Sequence, residues 1–232
     1  MTNKSFLFKV EDRHCICRIP GPGTELLINR EQEKTVYDAV ASLEITEHVL
    51  YMNEKTGYKI ADYYEGTRNA DSADWADMEK CMSMVRRLHQ SGITVAHSFD
   101  IRERISFYEK LCRSHGALLF EDYEEVKGWM DWLMDTLDSM ERPKCLCHID
   151  ANVDNFLFFG SVKLLDWEYA GMCDPVMDVS MCAIYSYYNE EDMERLFRLY
   201  LRREPSEDEL FALYANAALG GFLWCLWAVY KS

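Results

Sequence analysis

CHIDANVDNFLFFGSVKLLDWEYAG, residues 147–171, is the stretch on which the reading of this chain turns. It places Asp150, Asn155 and Asp166 around two short apolar runs, Phe156–Phe159 and Val162–Leu165, that are split by Gly160 and Ser161. Strand-forming runs divided by a two-residue, glycine-containing turn predict a hairpin. A hairpin brings the chain back to where it started, so Asp150 and Asp166 become neighbours in space. Hard divalent cations take oxygen donors and keep several waters, so one amide and one carboxylate suffice as protein ligands. A second carboxylate can accept the proton of an attacking hydroxyl. Oxygen-held metal, positioned phosphates and a proton acceptor are what phosphoryl transfer requires. On that reading Asp150 is the base candidate, and Asn155 and Asp166 are the metal candidates. Taken singly, each has a plainer reading: an Asx turn at Asp150, a turn residue at Asn155 and a cap at Asp166.

The rest of the chain bounds this reading. At 232 residues it is long enough for one large domain or two small lobes around a real core. Apolar residues make up 49% and charged residues 28%, a globular composition. The net charge of −15 repels phosphate backbones, which argues against nucleic acid, and it suits a small cationic substrate. The nine cysteines are odd in number and irregular in spacing, and the opening residues hold no long apolar run. Reduced thiols and a cytoplasmic location are the expectation. Cys15-x-Cys17 and Cys145-x-Cys147-His148 lack the two-residue gap of common zinc knuckles, so buried free thiols are the expected reading. Leu210–Tyr230 carries no charge over 21 residues, enough to span a bilayer. Asn216, the Gly220-Gly221 pair and the acidic flank favour a buried C-terminal helix instead, with no stable membrane insertion.

Periodicity divides the chain in two. SFLFKV and HCICRI predict a hairpin across EDRH, and HVLYM and YKIADYY predict two more strands joined by NEKTG. One helix is predicted between them, from Glu25 to Leu43, with Leu26, Val36, Val40 and Leu43 inward. Residues 65–74 read as a polar connection, with the lobe boundary near Gly66. Beyond it, a helix capped by Asp71 or Ser72 carries Trp75, Met78, Met82, Val85 and Leu88 at helical spacing and ends at Gly92. Others are predicted from about Asp100 to Arg113 and from Asp122 to Asp138, the latter with Val126, Trp129, Leu133 and Leu137 inward. Two more are predicted near 175–188 and 190–203, and Ser206 with Glu209 forms a capping box for the last.

With these blocks in order, HIDANVDNFL, LLDWEYAG and DPVMDVS together resemble the catalytic and metal-binding segment of the aminoglycoside phosphotransferase and choline kinase superfamily. DWEYAG points towards its choline and ethanolamine kinases. ICRIPGPGTELLINREQE, IADYYEG and LWCLWAVYK are similar, in turn, to the phosphate-contacting strand and helix, the interlobe linker and the C-terminal helix of bacterial choline kinases. The resemblance runs over nearly the whole chain. It implies an α+β, two-lobed protein-kinase-like fold. A small antiparallel-sheet lobe over 1–66 would bind the nucleotide, and a mainly helical lobe over 67–232 would hold the catalytic loop and substrate pocket. It implies ATP as co-substrate and Mg2+ as cofactor. Asp150 would be the catalytic base, and Asn155 and Asp166 the metal ligands. Arg18, oriented by Glu33, would steady the phosphates, and Asp62 and Tyr63 would meet adenine. His148 would bond backbone near the metal loop. Bacterial relatives carry a further strand and a glycine-containing turn before the segment matching TNKSF, so that the small lobe here reads as shortened. On that comparison Thr2, Asn3 and Ser5 stand for the loop over the phosphates.

A quaternary ammonium has no conventional hydrogen bond to give and is held by aromatic faces. Trp224 and Trp227, three apart on the last predicted helix, share a face. With Tyr169, Tyr185 and Glu168 they make the candidate choline pocket, to which Tyr187 and Tyr188 add aromatic surface. Packing alone also explains tryptophans on a buried helix. Ethanolamine or another small amino alcohol fits the same frame. A larger aminosugar would call on Glu168, Asp174 and Asp178. A relative that binds choline or nucleotide without transfer is the alternative from another class. Oligomeric state is not legible.

Overall fold

In the computed structural model, which describes residues 3–116 and 120–231, the chain forms a small sheet lobe followed by a helical lobe. Thr2 lies outside the described residues. Strands β1 (Asn3–Val10) and β2 (Arg13–Pro20) pair antiparallel from Asn3↔Pro20 to Val10↔Arg13. The turn between them puts Glu11 at φ 52°. Helix α1 (Arg30–Val40) follows, then β3 (Val49–Met52) and β4 (Lys59–Asp62), which complete a four-stranded sheet in the order β1-β2-β4-β3. Val36, Tyr37 and Val40 fix α1 into the core.

Two details of this lobe depart from expectation. The helix predicted from Glu25 starts at Arg30, because the Asn29 side chain accepts from the amides of Glu31 and Gln32 and so caps it there. Thr24–Leu26 is instead one short 3-10 turn entered through Gly23 at φ 81°, and Leu26 is 57% exposed. The polar connection after the lobe is not structureless either. Its Arg68–Asn69 forms a short strand, β5.

The helical lobe contains α2 (Trp75–His89), α3 (Ile101–Ser114), α4 (Tyr123–Ser139), β6 (Cys145–Cys147), β7 (Phe156–Phe159), β8 (Ser161–Leu164), β9 (Gly171–Cys173), α5 (Val176–Tyr185), α6 (Glu190–Leu201) and α7 (Glu207–Lys231). β5, β7 and β8 form one small antiparallel sheet and β6 with β9 another. The β7–β8 hairpin turns at Gly160, φ 63°, with Phe159 opposite Ser161.

Caps fix several boundaries. Asp74, rather than Asp71 or Ser72, caps α2, while the Asp71 carboxylate accepts from the amide of Ala73 in a turn. Asp100 caps α3 through the amides of Arg102 and Glu103. Ser206 and Glu209 exchange hydrogen bonds at 3.2 and 2.8 Å, the capping box of α7. On α4 the buried residues are Tyr123, Met130 and Met134, whereas Trp129 is 60% exposed. Val126, Leu133 and Leu137 pack against the core as expected, and Trp129 is the one of the four that does not.

One apolar cluster joins α1, α2, β6–β8, α5 and α6, and a second joins α3, α4, α5 and α7. Among the described residues α7 is the helix long and apolar enough to cross a bilayer. Its Leu213, Leu219, Phe222, Leu223 and Leu226 are buried, and it packs on α3, α4 and α5 as a core helix does. At Gly220 a Cβ would meet the Met181 sulfur at 2.6 Å, so a side chain there would have to displace that buried thioether between α5 and α7. All nine cysteines are free.

Candidate active site

The segment after β6 is held from below by one carboxylate. Asp178, fully buried on α5, accepts from the amides of His148 at 2.8 Å and Ile149 at 2.6 Å, and from His89 Nε2 at 2.9 Å. Burial works against its charge, but the hydrogen bonds and charge of the neighbouring imidazoles and amides win, and its carboxyl is held below the usual range. Ile149 sits at φ 73°, a left-handed conformation that costs a non-glycine residue on the order of 1–3 kcal/mol and persists because such bonds over-determine it. His148 Nε2 donates to the carbonyl of Leu165 at 2.9 Å, joining this loop to the end of the hairpin. Burial pushes its imidazole down, towards the neutral form.

Two asparagines then fix Asp150. Asn152 Nδ2 donates to Asp150 Oδ1 at 3.1 Å, while its oxygen caps the short turn at Val153–Asn155. Asn155 Nδ2 donates to the Asp150 carbonyl at 2.9 Å and to Oδ2 at 3.1 Å. Burial pushes the Asp150 carboxyl up to about 7, with the charges of Asp166 and Glu168 adding to it and the two asparagine bonds opposing it. The Leu165 amide donates to the Asn155 carbonyl at 2.9 Å, so Asn155 and Asp166 sit side by side. Asp166 is itself left-handed, φ 66°. The residues fit a hard cation: with its nitrogen committed to Asp150, Asn155 has its oxygen to offer, and the Asp166 carboxylate is 36% exposed beside it.

On the sheet side, Arg18 of β2 is buried and bidentate on Glu33 of α1, at 2.5 and 3.0 Å, and reaches Asp166 at 3.3 Å. Desolvation opposes the charge of Glu33, but the bonds and charges of Arg18 and Arg30 outweigh it and hold its carboxyl low. Arg30 bridges Glu33 at 2.7 Å and Glu168 at 3.0 Å, and Asn3 adds a 3.3 Å bond to Glu168. Burial and the nearby Asp166 charge push Glu168 up to about 7, against the pull of Arg30.

A cleft of about 320 Å³ opens between β1, β2 and β4 on one side and the hairpin on the other. Asn3, Ser5, Arg18, Asp62, Tyr63, Asn155 and Asp166 all line it. The Asp62 carboxylate is taken by Arg13 at 2.5 and 2.8 Å, and the amides of Asp62 and Tyr63 donate to the backbone carbonyls of His48 and His14, each at 3.0 Å.

The four aromatic candidates form one group. Trp224 lies edge-on to Tyr169, centroids 5.6 Å apart, and to Trp227 at 5.7 Å, and is tilted against Tyr185 at 6.1 Å. Both indole N–H groups are buried without a hydrogen-bond partner among the described residues. Burial raises the Tyr185 phenol, and the Asp150 carboxylate beside it raises it further. Tyr187 and Tyr188 are not part of the group: Tyr187 is 95% exposed, and Tyr188 bonds the Ser72 carbonyl and stacks on Trp75. Asp174 pairs with Arg142, and Asp178 is spent on the loop, so neither carboxylate is offered to a substrate. Sequence reading passed over Arg30 and Asn152. The NRE run at 29–31, an asparagine cap followed by a charge inside the first turn, was the only local hint of Arg30. Asn152 was hidden because it reads as an ordinary turn residue.

Comparisons with known proteins bear on the family and the fold. The model of the phosphotransferase enzyme family matches residues 1–213. Protein LicA of Haemophilus influenzae is 26% identical over 247 aligned residues, covering 100% of this chain and 90% of that protein. The crystal structure of choline kinase LicA from Streptococcus pneumoniae superposes with a TM-score of 0.85 at 26% identity, covering 98% of this chain and 81% of that one. A structure of LicA in complex with AMP gives 0.85 at 26% identity, covering 100% and 80%.

Proposed function

The chain belongs to the phosphotransferase enzyme family and is a kinase-like enzyme of it, and we propose that it transfers the terminal phosphate of ATP to the hydroxyl of choline. One arrangement carries this reading: the Asp150 carboxylate lies between Asn155 on one side and the aromatic group, through Tyr185, on the other. An alcohol held by its ammonium end against Trp224, Trp227 and Tyr169 presents its hydroxyl to that carboxylate. Asp150, with its carboxyl near 7, takes the hydroxyl proton as the oxygen attacks. Arg18, fixed by Glu33, steadies the phosphates in the cleft, with Asn3 and Ser5 along its edge. Mg2+ held by Asn155 and Asp166 would neutralise charge on the phosphate oxygens. The AMP-bound relative supports an adenine nucleotide in this role.

Choline is favoured over ethanolamine by what the aromatic group lacks. A primary ammonium brings three N–H donors that need acceptors, and of the one carboxylate of the group, Glu168, the Oε2 atom is already taken by Arg30 and Asn3. A trimethylammonium asks only for aromatic faces, each worth about 0.5–2 kcal/mol. The test is turnover with Mg-ATP and choline, ethanolamine, thiamine or an aminoglycoside. Choline should give the highest kcat/KM. No turnover with choline, while choline still raises the melting temperature, would make this a binding protein.

A further inference from the structure

A second cluster of donors stands behind the catalytic loop. Cys145 and Cys147 share one side of β6, with Sγ atoms 3.9 Å apart. A ring nitrogen of His89, at the C-terminal end of α2, completes a set whose donor atoms all lie within 4.8 Å of one another. His89 Nε2 donates to the Asp178 carboxylate at 2.9 Å, and Nδ1 lies 2.9 Å from the Tyr200 hydroxyl; in the neutral ring Nδ1 carries the lone pair. The carboxylate–imidazole pair thus leaves the other nitrogen as a ligand, the arrangement that orients metal-bound histidines. Local spacing could not reveal this set, because its third donor comes from α2 and not from the adjacent His148.

Two thiols and a neutral imidazole select d10 cations of borderline softness over Mg2+ or Ca2+. Size agrees as well. Zn–S bonds of about 2.3 Å in a tetrahedron set two sulfurs about 3.8 Å apart, and the separation here is 3.9 Å. Cys145 is half-buried and forms the open edge of the cluster, while Cys147 is fully enclosed.

We propose that Cys145, Cys147 and His89 Nδ1 bind Zn2+ or a comparable d10 cation, with the Tyr200 hydroxyl or a water as the fourth ligand. On binding, both thiols release their protons to solvent, and the ion takes the Nδ1 lone pair in place of the Tyr200 hydrogen. Nε2–H stays on Asp178, which also holds the amides of His148 and Ile149. Occupancy of this site therefore bears on the loop that presents Asp150.

The test uses the full, reduced chain with Cys225→Ser, which removes the exposed thiol of α7, and Co2+ as a spectroscopic substitute for Zn2+. The expected result is a thiolate-to-cobalt charge-transfer band with the strong visible bands of a four-coordinate ion, saturating at one equivalent and displaced by Zn2+. Cys145→Ser should abolish the band. Cys112→Ser, a buried thiol on α3 bonded to the Leu226 carbonyl, should keep it. An ion at Asn155 and Asp166 meets only oxygen and gives no such band, so this result is independent of kinase activity. No charge-transfer band in the parent protein overturns the proposal whatever the variants do, and so does a band that survives in a folded Cys145→Ser.

Discussion

Asp150 carries opposite demands from stability and from catalysis. Its folded carboxyl titrates at about 7 and its unfolded one near 3.8, so the folded state binds the extra proton between those values. Stability is then full below the unfolded value and is lost as pH rises through 7. Activity runs the other way, because a base must be ionised. The rate of phosphorylation at low substrate should rise with pH and level off above about 7. The melting temperature of Asp150→Asn minus that of the parent should increase between pH 5 and pH 8, and a constant difference would mean the carboxylate is not buried as described. Trp227 is judged by a split between substrates. Trp227→Ala should raise the choline KM about tenfold, the loss of one good cation–π contact with its packing, and leave the ATP KM within twofold. Equal changes in both would make the tryptophan a packing residue. These residues were legible because each sits inside a compact motif. Arg30 was not, since beside Glu33 of its own helix its second partner, Glu168, meets it only when α1 docks on the segment after the hairpin.

The elements turn such residues into a site. α5 is held in the core by eight consecutive buried residues, Val176 to Ala183, and from it Asp178 reaches two amides of the loop. Asp178→Asn removes the buried charge that these donors and His89 satisfy, a change that costs about 2–4 kcal/mol. A lower denaturation midpoint with kcat down by more than tenfold is expected. An unchanged kcat in the folded variant would detach the loop from α5. On the sheet side, Arg18→Met leaves Glu33 buried and facing only Arg30, and should raise the ATP KM more than the choline KM. The elements themselves were mostly readable, since hydrophobic spacing sets where a helix or strand is and caps set where it begins. The misreadings were competitions between neighbours. Asn29 outcompeted the turn before it as the start of α1, Asp74 outcompeted Asp71 and Ser72 at α2, and on α4, where Val126, Leu133 and Leu137 face the core as expected, Met130 is buried and the adjacent Trp129 is left exposed.

At the scale of the molecule, the cleft joins what the chain order separates. β2 and β4 come from the first third of the sequence, the hairpin from beyond its middle and the aromatic group largely from its end, yet Arg18 reaches Asp166 at 3.3 Å and Asp150 lies beside Tyr185. The two-lobed plan was legible in the change from strand to helix periodicity along the chain. The ion network across the lobes was not, because long-range pairing leaves no period in a sequence. The net charge of −15 belongs to this scale too, and draws cations towards the molecule at low salt. The most direct test of the central claim is phosphorus NMR of choline incubated with Mg-ATP and either the parent protein or folded Asp150→Asn. Phosphocholine formed in step with ADP by the parent, and at least a hundredfold more slowly by the variant, is the predicted result. Phosphocholine formed equally by both, or by neither, would contradict it.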